Sequence, residues 1–140
     1  MAFLSRVLHN RSGSSAIEFA IVAPLFIIVL LSMVAYGIYL MAAYSVQQVA
    51  ADAARTAIAG LNNQEREALA RDFVSKSALS YAFLDKGDLN VTVGIDNANS
   101  NQFTVTVDYD ATKLPIWGLY TYALPAKTIR RFSTVRIGGI

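Results

Sequence analysis

The sequence predicts an α+β chain: a long N-terminal helix, then a small domain of one helix and a short antiparallel sheet. Three observations carry this reading. Residues 19–43 contain no charged side chain. Apolar residues then recur at steps of three and four as far as residue 81, and from residue 89 the period changes to two. At 140 residues there is room for one small domain, yet 54% of residues are hydrophobic and the mean hydropathy is +0.40. That is too apolar for the whole chain to lie in water.

The first helix is expected over residues 14–60. Its uncharged run, 19–43, would extend roughly 37 Å as a helix, enough to cross a bilayer with some tilt. Arg6, His9 and Arg11 flank its start, whereas Gln47, Gln48 and Asp52 follow its end. The excess of basic residues on the cytoplasmic side of spans places the N-terminus inside and the remainder outside. Tyr36, Tyr39 and Tyr44 would mark the exit interface. A cleavable secretory signal has an apolar core of about 7–15 residues followed directly by a small-residue cleavage site. This run is longer, and the triplet Ala51-Asp52-Ala53 lies well past it. Beyond the span, Val46, Val49, Ala50, Ala53, Ala57 and Leu61 form an Ala-rich stripe, with Gln48, Asp52 and Arg55 on another face. Such a stripe either meets other helices closely or covers the chain's own domain.

Gly60 followed by Asn62 and Asn63 reads as a helix stop and a new N-cap, with Glu65 placed for a capping-box-like start. A second helix should begin near Asn63. Leu69, Phe73, Val74, Ala78 and Tyr81 supply its apolar face; Glu65, Arg66, Glu67, Arg71, Asp72 and Lys76 supply its wet one. Leu89, Val91, Val93 and Ile95 then alternate with polar residues, as do Phe103, Val105, Val107 and Tyr109, around a turn at 96–100. This is a hairpin. A third strand is expected from Thr128 to Ile137, where Ile129, Phe132 and Val135 do not hold one phase and suggest a bulge. A lone hairpin is marginal in water, so the helices should cover its apolar face.

Composition narrows function. Twelve basic and ten acidic residues give a net charge of +2, and without Arg6 and Arg11 the rest of the chain balances at ten of each. No nucleic-acid partner is called for. There is no cysteine, and the one histidine is His9, so an outward domain has no imidazole or thiol for catalysis or metal binding. We expect no enzyme activity, no cofactor and no metal. Asp108 and Asp110 share a strand face and read as exposed carboxylates; Asn97, Asn99 and Asn101 read as turn residues, without the glycine and terminal glutamate of a calcium loop. The connection 114–125 is unusually apolar. It either packs Trp117 and Leu119 on the second helix or meets a membrane surface or neighbouring subunit. Lys127, Arg130, Arg131 and Arg136 read as a solvated strand face, with lipid headgroups as the alternative.

The most specific signal is the stretch Gly13-Ser14-Ser15-Ala16-Ile17-Glu18-Phe19-Ala20-Ile21-Val22-Ala23-Pro24. A basic leader ends in glycine, and a carboxylate stands five residues later against the apolar run. An ionisable group inside a span is costly and marks function. Pro24 removes the hydrogen bond to the Ala20 carbonyl and should loosen the helix. This arrangement resembles the signal of type IV pilin precursors and, more narrowly, the N-terminal signature of the TadE-like pseudopilins of tight-adherence pili.

The resemblance implies that residues 1–13 are a leader cut by prepilin peptidase between Gly13 and Ser14, with Glu18 and Phe19 part of the recognised segment. It implies that Glu18 would pair with the new α-amine of a neighbouring subunit, and that Glu18 and Pro24 serve assembly. The implied partners are the peptidase, other pilin and pseudopilin subunits, the inner-membrane assembly machinery and membrane lipid. The implied location is the bacterial inner membrane, with residues 61–140 as a periplasmic domain. The competing reading is an unprocessed single-pass anchor presenting a protein-binding module.

Overall fold

A computed structural model describes residues 11–77, 80–96, 99–119 and 125–137. Helix α1 spans Arg11–Ala57 and α2 spans Asn63–Ser77. Strands β1 (Leu89–Asp96), β2 (Asn99–Asp110) and β3 (Thr128–Arg136) form one antiparallel sheet in the order β1-β2-β3. The two helices lie on one face of it: α1 packs on β2 and β3, α2 packs on β1, and the helices also touch each other. This is the α+β arrangement that the change of period predicts.

The Ala-rich stripe turns inward onto the chain's own domain. Ala42, Val46, Val49, Ala50, Ala53 and Ala57 are buried, so small side chains on α1 let the sheet come close while the bulk comes from Phe103, Val105, Val107, Ile116 and Ile129. Removing each of those large side chains from water contributes about 1.5–3 kcal/mol. Leu61 does not continue the stripe. The helix ends at Ala57, a turn follows, and Leu61 is 88% exposed.

Helix α2 begins as the capping residues predict. The Glu65 amide donates to the Asn62 side chain (2.9 Å), and the Leu61 amide donates to the Glu65 carboxylate (2.8 Å). Both satisfy donors that a helix start leaves open. The wet face holds i,i+4 pairs between Glu67 and Arg71 and between Asp72 and Lys76, worth a few tenths of a kcal/mol each. Arg66 departs from the predicted pattern and is buried. Its guanidinium lies 5.2 Å from the centre of the Phe103 ring, and Nη1 donates to Asn63 (3.2 Å). Gly60 makes this possible: a Cβ there would stand 2.7 Å from both the Arg66 backbone nitrogen and its Cγ. Ala78, assigned to the same apolar face, lies outside the described residues.

In the hairpin, Val91, Val93 and Ile95 pair with Val107, Val105 and Phe103, the register that alternation requires, with one irregularity at Ile95/Asp96. Strand β3 has no bulge. It runs in unbroken register with β2 from Thr128 to Arg136. Ile129, Arg131, Ser133 and Val135 share the helix-facing side, opposite Tyr109, Val107, Val105 and Phe103, while Phe132 points out and is 63% exposed. The apolar spacing misled because two polar residues occupy the inner face and an aromatic the outer one. Gln47 donates to the Phe132 carbonyl (3.2 Å), tying α1 to an edge strand that would otherwise offer unpaired backbone.

Candidate functional site

Helix α1 has two regimes. None of residues 15–34 is buried, and Ile17, Phe19, Ile21, Val22, Leu25 and Phe26 are each more than half exposed around the whole circumference. From Ala35, which is fully buried, one side of the helix meets the domain. The free length, 15–34, corresponds to about 30 Å, the hydrocarbon thickness of a bilayer. The helix is thus long and apolar enough to cross a membrane. The domain already contacts residues 35–43, which the charge-free run had included in the span.

Three bonds fix the domain to α1 at successive levels. The Tyr39 hydroxyl donates to the Ala126 carbonyl (3.2 Å), Gln47 reaches β3, and the Tyr81 hydroxyl donates to the Asp52 carboxylate (2.8 Å), which also takes Arg55 (2.9 Å). Sequence reasoning missed these links because each joins residues at least 29 positions apart. Burial, then the Asp52 carboxylate, pushes the Tyr81 hydroxyl up to about 12. An unfolded tyrosine ionises near 10. The contribution of Tyr81 is therefore complete below pH 10 and is lost as pH rises from 10 to about 12. Burial raises Tyr109 as well. Tyr81→Phe is expected to cost about 1 kcal/mol at neutral pH and to shrink the fall in stability between pH 10 and 12, read as urea midpoints in detergent.

The predicted processing residues all lie on α1. Gly13 and Ser14 are within its first turns, so Gly13 is helical rather than extended. Among the described residues, a Cβ at Gly13 would meet nothing within 4 Å, so no packing between them requires glycine there. Glu18 and Phe19 are exposed. The helix runs unbroken through Pro24. Ser32 satisfies its hydroxyl by donating to the Ile28 carbonyl (2.7 Å) within the helix.

Charged groups of the domain are engaged in structural contacts. Asp108 receives Arg130 through two bonds (2.6 and 3.1 Å), and Asp110 caps the 3₁₀ turn Ala111–Lys113 through the Thr112 amide (3.0 Å). That bond holds the Asp110 carboxyl below its usual range. Lys113 pairs with Asp88 (2.7 Å). Arg130 and Arg131 sit on opposite faces of β3 and do not form one basic face. In the connection after β2, Leu114 and Ile116 enter the core, Trp117 Nε1 donates to the Ala111 carbonyl (2.6 Å), and Leu119 is 37% exposed. Residues 120–124 lie outside the described residues. Among those described, no three His, Cys, Asp or Glu side chains could hold a metal ion.

A long apolar helix with a small α+β domain on its far half defines a membrane-anchorable class of chain. Residues 13–55 match the family model of the TadE-like proteins, so this segment is similar to that family, as the motif from Gly13 to Pro24 suggests. The match starts at Gly13 and stops within the last turn of α1, leaving the domain unmatched. No curated protein and no solved structure matches the chain.

Proposed function

We propose that this chain is a minor pilin or pseudopilin of a tight-adherence pilus, cut by prepilin peptidase between Gly13 and Ser14 and without catalysis of its own. It is held by α1 in the inner membrane, with the N-terminus cytoplasmic and the domain periplasmic. The observation that carries this reading is the all-round exposure of apolar side chains over residues 15–34. A helix apolar on every side belongs in lipid or among other helices.

Two features of the signal support processing. Glycine inside a helix costs about 1 kcal/mol relative to alanine, and among the described residues no close contact at Gly13 offsets it. An external requirement, such as a peptidase that must unwind the turn to reach the bond, accounts for it. Cleavage would also move Glu18 from the third turn to the fifth residue of the helix. There it lies close to the positive end of the macrodipole and to a new α-amine. The uncut anchor remains the second reading, favoured by the continuity of α1 across Gly13.

The test is the intact mass and N-terminal sequence of the protein recovered from membranes, with and without the cognate peptidase, and for Gly13→Ala. A peptidase-dependent start at Ser14, blocked by the substitution, is the expected result. A chain uncut under both conditions would leave the plain anchor.

A further inference from the structure

The domain meets α1 at a definite height. With residues 15–34 filling the hydrocarbon, Ala35 stands at its outer boundary. The bond from Tyr39 to the Ala126 carbonyl then pins the connection after β2 four residues further out, a rise of about 6 Å. The polar layer of one leaflet is about 5–7 Å deep, so Ala126 lies within it, with Lys127 next in the chain and Trp117 beside Lys127.

Its chemistry fits that place. Trp117 is half-buried against the core and its indole N–H is satisfied from inside the domain by the Ala111 carbonyl, so the part of the ring left uncovered is an apolar surface. The ammonium of Lys127 sits 5.7 Å from the ring centre, and Lys127, Leu119 and Pro115 are exposed. On α1, Tyr36, Leu40 and Tyr44 stay exposed at the same heights. Aromatic rings with a nearby cation and an aliphatic neighbour suit the boundary between acyl chains and headgroups.

Resting on the reading of α1 as a membrane span, we propose that Trp117, Leu119 and Lys127 form a foot seated in the lipid headgroup layer where α1 leaves the bilayer. The occupant is the lipid surface. The foot sets the tilt of the domain and so the direction in which the sheet is presented.

Trp117 is the one tryptophan of the chain, so its own fluorescence reports the contact. The full chain is reconstituted in phosphatidylcholine–phosphatidylglycerol vesicles, checked by flotation, and compared in lipids brominated near the headgroup or deep in the acyl chain. With Trp117 at headgroup level it is expected to lose about half its emission to the shallow bromines, less to the deep ones, and to be protected from acrylamide. Leu119→Glu and Lys127→Glu should reverse both effects while flotation persists. Flotation with acrylamide-accessible Trp117 and no bromine quenching overturns the foot alone. Protection that grows with protein density without bromine quenching assigns the surface to a second copy and also overturns it. Failure to float overturns the span and the foot together.

Discussion

Glu18→Ala is expected to leave the chain processed and in the membrane while lowering its incorporation into filaments by roughly 10²–10⁴-fold, the equivalent of about 3–5 kcal/mol for breaking a buried charge pair. The substitution makes the first turns more apolar, so insertion is not impaired. What it removes is the partner proposed for the α-amine of an adjoining subunit. That amine would then stay charged in a medium that cannot solvate it. Glu18→Asp, which keeps the charge on a shorter stem, should retain part of the assembly. The readout is the sheared filament fraction beside the membrane fraction, with N-terminal sequencing of both. Normal filament content from a cut Glu18→Ala chain would remove Glu18 from assembly and leave processing intact.

Phe103→Ala is expected to unfold most of the domain. Phe103 is 1% exposed, on the helix-facing side of the central strand, between Ile95 and Val135. Deleting a buried phenyl ring costs about 3–5 kcal/mol, comparable with the whole stability of a domain of this size. The loss also strips the buried Arg66 guanidinium of its ring, an interaction worth about 0.5–2 kcal/mol. Phe103→Leu, which keeps most of the volume, should cost under about 1.5 kcal/mol. Combined with Arg66→Ala it closes a double-mutant cycle that isolates the ring–cation contact. Urea titration in detergent, followed by Trp117 fluorescence, measures all of these. A change below about 1 kcal/mol for Phe103→Ala would mean that the core does not lie where α1, α2 and β2 converge.

Most of the fold was legible because its signals are local. The stop at Gly60, the cap at Asn62 and Glu65, and the alternation in β1 and β2 each depend on neighbours within a few residues. The structure places α2 and the hairpin where these signals predict. The family likeness from Gly13 to Pro24 was legible for the same reason: glycine, carboxylate and proline lie within one short stretch against an uncharged run, and the family match begins at Gly13. What periodicity misassigned were residues whose side is chosen by a distant partner. Arg66 turned inward because Gly60 makes room for it and Phe103 offers a ring. Phe132 turned outward because the register with β2 leaves Arg131 and Ser133 on the inner side.

The sequence by itself determined that this chain has one long apolar helix and a domain of one helix and three strands, and that the stretch from Gly13 is similar to the TadE-like proteins. Hydrophobic period, caps and motif spacing are properties of short segments and survive without knowledge of the fold. Only the tertiary structure decided that the Ala-rich stripe covers the chain's own sheet, that the free helix ends at Val34, and that the connection after β2 is bound to Tyr39. Those facts depend on which surfaces meet, and that choice is made by the complementary shapes of segments far apart in the chain.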